Sequence, residues 1–149
     1  MEVFATSAEM SLSHLTSHPI WSVSQTAVDI GGSTGPAAIA LAKEYPQLTV
    51  TVEDLPPVVA GAEKNVPEDV AGRVHFVGHD FIAEGAVQPT LGADVYLLRW
   101  VLHNWSDKYA IRILKSIIPA LKAGAKILIM EIIMPEPGAV PLWREKDLR

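Results

Sequence analysis

The chain has 149 residues, 49% hydrophobic and 19% charged, enough for one domain with a buried core and too few to expect two. Its formal net charge of -5 leaves no basic surplus for a phosphate backbone or an anionic membrane surface, which argues against nucleic acid and membrane as partners. Cysteine is absent, excluding disulfides, thiolate metal sites and cysteine nucleophiles, and the start lacks the basic and apolar regions of a signal peptide. The expectation is a soluble, cytoplasmic protein.

Residues 1–25 are rich in Ser and Thr and only weakly periodic, so they read as a lead-in to a domain over 26–149. From there short β-rich runs alternate with helical ones, the pattern of a parallel α/β sheet with helices on both faces. A strand at 27–30 ends in GGSTG, and Pro36 opens a helix that Pro46 stops. A second strand at 48–52 leads into Glu53 and Asp54, after which Pro56 and Pro57 open a helix through Lys64. A third strand lies at 73–77 and a fourth at 94–98. The fourth runs into RWVLHNW, followed by a helix from Ser106 in which Ala110, Ile113, Ile117 and Leu121 recur at helical spacing. Pro119 bends its last turn and Gly124 ends it. A fifth strand is expected at 126–132, then a loop at 135–142 and the beginning of a helix at 143–149. Right-handed crossovers place the first and fourth strands side by side, and ligands bind in the crevice beyond their carboxyl ends.

The distinctive residues fall at that crevice. Gly31, Gly32 and Gly35 allow a sharp bend and close approach of a ligand to the backbone. Ser33 and Thr34 stand where a dinucleotide fingerprint needs its second glycine, so the fit to NAD is poor. Asp54 follows Gly35 at roughly the 20-residue spacing of a ribose-binding acid, with Glu53 an equally good carboxylate by chemistry alone. Asp80 and Phe81 offer an acceptor and a flat apolar contact suited to an adenine ring. His75 and His79 lie on a strand and its exit, where their side chains need not converge on a metal, and His14 and His18 sit in the lead-in.

The ordered motifs VDIGGSTG, VEDLPPVV, GHDF, GADVYLLRW, LHNW, IPALKAGAKILI and MPEPG resemble the catalytic domain of S-adenosylmethionine-dependent O-methyltransferases of the fungal sterigmatocystin and plant caffeic-acid types. The resemblance implies a Rossmann-like fold and S-adenosylmethionine as cofactor, held around Gly31, Gly32, Gly35, Asp54, Asp80, Phe81 and Arg99. It implies that His103 is the general base, that Glu131 flanks and orients it, and that no metal is needed. Trp100 lines the substrate pocket or packs; for Trp105 packing is favoured. The substrate implied is a small hydroxylated aromatic or polyketide-like metabolite.

Members of that family also carry a helical amino-terminal dimerisation domain, of which 1–25 would be the linker's remnant, and two further strands beyond the fifth. The expectation is therefore a sheet lacking its final two strands, with an open apolar edge at 126–132 suited to self-association or a protein partner. Two rival readings stand beside the enzyme: a non-catalytic or auxiliary remnant acting through a partner, and a related fold that uses the cofactor's charge for rearrangement or cyclisation.

Overall fold

The computed structural model describes residues 12–131. The expected loop at 135–142, the helix at 143–149 and the earliest part of the lead-in lie outside the described residues. Five strands, β1 (Thr26–Ile30), β2 (Thr49–Asp54), β3 (Val74–Gly78), β4 (Val95–Arg99) and β5 (Lys126–Met130), form one sheet in the order β3-β2-β1-β4-β5. Every pairing is parallel, with Ile30 opposite Glu53 on one side and Leu98 on the other. The chain therefore reverses its direction of travel across the sheet between β1 and β4, and the crevice predicted from sequence lies there.

The strands form where branched and aromatic residues cluster, and alternation sends their side chains into two cores. On one face Val50, Val52, Val95 and Leu97 meet α3 (Pro36–Glu44) through Ala37, Ala38, Leu41 and Ala42. Pro36 at the first turn supplies a preset φ, and the alanines let the helix sit close to the strands. On the other face Val28, Ile30, Tyr96 and Leu98 meet Ile113 and Ile117 of α5 (Asp107–Ile117), two residues of the periodicity read from sequence. Pro119 falls in a 3₁₀ turn, Ile118–Ala120, that tightens the end of α5.

Two regions differ from the sequence expectation. The lead-in contains two short helices, α1 (Leu12–Thr16) and α2 (Ile20–Val23), and is packed into the core: Trp21 is 0% exposed, and its indole N–H donates to the Leu15 carbonyl at 2.7 Å. Gln47 and Tyr45 donate back to the Trp21 and Thr16 carbonyls, tying this segment to the turn after α3. The helix expected over 56–64 is a single turn, α4 (Pro56–Val59), followed by a 3₁₀ turn at Ala62–Asn65. Gly61 between them is left-handed at φ 75°, which interrupts the helical path. Among the described residues no helix is long and apolar enough to cross a membrane.

Candidate active site

The turn after β1 is built from left-handed residues, Gly31 at φ 74°, Ser33 at 55° and Gly35 at 83°. Its three glycines serve different ends. A Cβ on Gly31 would come within 2.9 Å of Val101 and close the crevice between β1 and β4. Those on Gly32 and Gly35 would instead strike Asp29 and Val52, and Phe76 and Val52, inside the sheet. Only Gly31 of the three lines the cavity described next; Gly32 and Gly35 let the turn pack down on the strands.

The cavity is about 510 Å³ and is walled by Gly31, Asp54, Leu55, Asp80, Phe81, Ile82, Trp100, Val101, Asn104 and Trp105. That volume falls within the ~300–1,000 Å³ typical of small-molecule sites. Asp54 ends β2 with its carboxylate turned to the turn: Oδ2 accepts from Ser33 N–H at 2.8 Å and Oδ1 from Leu55 N–H at 2.8 Å. Each oxygen has lone-pair capacity left for a hydroxyl donor. Asp80 Oδ1 accepts from Ile82 N–H, so the loop after β3 holds its acid in a fixed pose beside Phe81. Phe81 meets Trp105 edge to face at 6.4 Å between ring centres.

Strand alternation sends Glu53 and Asp54 to different surroundings. Glu53 points to the opposite face, 0% exposed, where its carboxylate accepts from Gln88 Nε2 at 2.6 Å and Thr90 Oγ1 at 2.5 Å. Burial raises its pKa, with the Thr90 and Gln88 hydrogen bonds opposing.

The segment after β4 carries the expected base. Trp100 is left-handed at φ 59°, a conformation that costs a bulky L-residue roughly 1–2 kcal/mol and that its surroundings must impose. Three backbone hydrogen bonds do so: Trp100 N–H donates to the Met130 carbonyl, and Val101 and Leu102 N–H both donate to Glu131 Oε1, at 2.9 and 2.7 Å. Glu131 Oε2 lies 2.8 Å from His103 Nδ1. His103 is 45% exposed against 15% for Glu131, so the imidazole is the more solvent-accessible member of the pair. Trp100 meets the ring edge-on at 5.9 Å.

The structure places three residues of this region differently from the emphasis of the sequence reading. Trp105, expected only to pack, also lines the cavity, and Asn104 lines it while its amide donates to the Trp100 carbonyl at 3.3 Å. Both follow His103 within two positions, a proximity that could have marked them. Arg99 does not line the cavity. It is half-buried on the α3 face with Asp29, which sits beneath the glycine turn, 2% exposed, and was given no role from sequence. Burial pushes the Asp29 carboxyl up to about 7, opposed by the attraction of Arg99 and reinforced by repulsion from Asp54.

A wholly parallel five-stranded sheet with a cavity at its switch point matches the S-adenosylmethionine-dependent methyltransferase fold. The solved structure of the S-adenosylmethionine-dependent methyltransferase SibL superposes with a TM-score of 0.81, at 26% identity, covering 94% of this chain and 40% of that one. The model of the O-methyltransferase domain matches residues 6–147, and the chain belongs to that family. Among its relatives, O-methyltransferase VdtC of Byssochlamys spectabilis is 45% identical over 93% of this chain and 33% of its own length. The grayanic acid biosynthesis cluster O-methyltransferase of Cladonia grayi is 46% identical over 84% of this chain and 27% of that protein. The chain thus spans about a third of the length of the curated relatives it matches. Two further solved structures bear on chemistry. The O-methyltransferase NcsB1, in complex with S-adenosylmethionine and 2-hydroxy-5-methyl naphthoic acid, has a TM-score of 0.65 at 31% identity over 73% of this chain and 33% of that one. A pericyclic reaction enzyme has a TM-score of 0.69 at 36% identity over 83% and 30%.

Proposed function

We propose that this chain is the cofactor-binding part of an O-methyltransferase that acts on a hydroxyl of an aromatic or polyketide-like metabolite, with S-adenosylmethionine as cofactor and His103 as general base. The observation that carries the reading is the His103–Glu131 pair at 2.8 Å, on the segment whose Trp100, Val101, Asn104 and Trp105 line a cavity of about 510 Å³. The cavity's own chemistry fits the cofactor: Asp54 has acceptor capacity left for ribose hydroxyls, Asp80 and Phe81 offer an acceptor and a ring for adenine, and Gly31 leaves its wall open.

When bound, the cofactor supplies an electrophilic methyl group on sulfur. The protein's share is orientation and proton removal. A carboxylate can only accept, so Glu131 Oε2 holds the proton of His103 on Nδ1 and leaves the Nε2 lone pair free. A phenol titrates near pH 10 and attacks poorly as the neutral species; Nε2 takes its proton as the oxygen attacks, and Glu131 stabilises the imidazolium that forms. Trp100, edge-on to the imidazole, and Asn104 shape the approach of the acceptor ring. His103→Ala should lower kcat by about 10²–10⁴-fold on a hydroxylated aromatic. Full activity in that variant would refute the mechanism.

The pericyclic neighbour favours a second reading, in which the positive sulfonium steers a rearrangement or cyclisation. Turnover that persists with the demethylated cofactor would mark it; turnover that requires the methyl group would end it. β5 has one strand neighbour among the described residues, and Ile129 on it is 46% exposed, so self-association along this edge is part of the proposal. Sedimentation showing only monomer at high concentration would remove that part.

A further inference from the structure

The geometry points to Glu53 as a positioning residue for the adenine side of the cavity, acting through the irregular connection that joins β3 to β4. The inference rests on the proposed assignment of Asp80 and Phe81 to adenine. It is carried by how that connection is held. Residues 79–94 contain no helix or strand, so their course is set by ties to neighbouring elements. At the start of the connection, His79 N–H donates to the Asp54 carbonyl at 2.8 Å. Further along, Gln88 Nε2 and Thr90 Oγ1 donate to the two carboxylate oxygens of Glu53, at 2.6 and 2.5 Å. Two adjacent residues of β2 thereby pinch the loop at both arms. The stretch between, which includes Asp80 and Phe81, is closed over the cavity.

The same dipeptide also holds the other wall. The Glu53 carbonyl accepts from Gly31 N–H at 2.7 Å and Gly32 N–H at 3.3 Å, and Asp54 Oδ2 accepts from Ser33 N–H. Glu53 therefore sets the spacing between the glycine turn and the adenine loop without touching the cavity, whose lining does not include it. A carboxylate suits the task because both donors come from one direction in sequence and each of its oxygens takes one. Tyr96 adds a tie by donating to the Thr90 carbonyl at 2.9 Å, and Gly92 N–H donates to the Ala120 carbonyl, so the far end of the connection is fixed independently of Glu53. Between that end and His79, the Glu53–Gln88 hydrogen bond and an Arg112 donor to the Ala83 carbonyl at 3.2 Å hold the loop.

The test compares Glu53→Leu, Glu53→Gln and Thr90→Val in the whole chain, by calorimetric titration with S-adenosylmethionine and by amide hydrogen exchange without it. Glu53→Leu should weaken binding by about tenfold and Thr90→Val by about threefold, and the double variant should bind no worse than Glu53→Leu alone, because both break one linkage. Glu53→Gln should stay within about twofold of the parent: its carbonyl accepts from Thr90 Oγ1, and its amide donates to Gln88 Oε1 once the Gln88 amide turns over, that oxygen being buried without a hydrogen-bond partner in the parent. In the ligand-free protein the amides of Ile82, Ala83 and Ala86 should exchange about tenfold faster in Glu53→Leu and Thr90→Val, while those of β1 and α3 stay unchanged. If Glu53→Leu does not fold, Thr90→Val decides by the same two readouts. Unaltered exchange of the loop amides would overturn the inference, as would full additivity in the double variant. Failure of the parent chain to bind the cofactor, with loop exchange still accelerated, would strike the cofactor assignment and leave the anchor standing.

Discussion

Replacing Glu131 by Gln changes one atom and, by the geometry here, inverts the tautomer of the base. Oε1 of Glu131 takes two backbone N–H donors, from Val101 at 2.9 Å and Leu102 at 2.7 Å. In Glu131→Gln these donors demand the amide oxygen, which forces the amide NH₂ toward His103 Nδ1, 2.8 Å from the atom it replaces. A donor facing Nδ1 requires a bare Nδ1, so the proton moves to Nε2 and the lone pair needed for catalysis is lost. The flipped amide would keep the right tautomer but give up two backbone hydrogen bonds at about 1–1.5 kcal/mol each, a total of about 2–3 kcal/mol. That holds the productive arrangement to roughly one molecule in 30 to one in 160, and kcat should fall by about that factor, with cofactor affinity unchanged. Steady-state kinetics with calorimetric cofactor binding reads this directly, and ¹⁵N-histidine spectra should show the ligand-free variant protonated at Nε2. A kcat within about threefold of the parent, or an imidazole still protonated at Nδ1, would refute the reasoning.

Asp29→Asn should raise the melting temperature at pH 8. The folded-state pKa is lifted from 3.8 to about 7, so the parent loses stability as pH rises through that window, and the gap between variant and parent should close below pH 4. Asp94 behaves oppositely: its carboxylate accepts from Gln25 N–H and Thr26 N–H and pairs with Lys122 at 2.5 Å, and the Lys122 hydrogen bond leads the effects that lower its pKa to about 2. Its contribution is complete above pH 4 and lost as pH falls toward 2, so Asp94→Asn should cost about 1 kcal/mol at pH 7 after solvent screening, and little at pH 2, by denaturant melts. Gly32→Ala places a Cβ 2.5 Å from Asp29 Oδ2 and 2.8 Å from Val52, and should destabilise by about 1–3 kcal/mol in the same melts, although Gly32 does not line the cavity.

The sheet was legible because its punctuation is strong. GGSTG with Pro36, the Pro56-Pro57 pair and Gly124 fix where strands and helices change, and β-branched runs fill the intervals. The lead-in was not, because helices of one turn are too short for a 3.6-residue period to register, so the wholly buried Trp21 left no periodic signal. At the site, the identities of Asp54, Asp80, Phe81, His103 and Glu131 came from motif order; the first three line the cavity, and the last two meet beside the segment that does. Glu53 and Asp54 were indistinguishable by residue type: opposite faces of β2 separate them, and the donors that occupy Glu53 lie more than thirty positions away. Asp29 was silent for a related reason, since a strand pattern cannot tell a buried acid from a solvated one without the elements packed over it.

On the proposed assignment of a cofactor wall and a base, the two halves of the site stand on different supports. The cofactor wall hangs on β1 and β2, interior strands with neighbours on both sides, and its left-handed turn is made largely of glycine, for which φ near +75° carries little strain. The base hangs on β4 and β5, and its turn requires a tryptophan at φ 59°, held by Met130 and Glu131 at the end of a strand with one neighbour among the described residues. Strain of roughly 1–2 kcal/mol at Trp100 is released as soon as those acceptors leave. Fraying of the end of β5 therefore costs less than opening of β1 or β2, and it disorients His103 while the ribose acid and glycine turn stay in place. On the proposed roles, that asymmetry sets the order of loss: proton removal fails first, cofactor binding later.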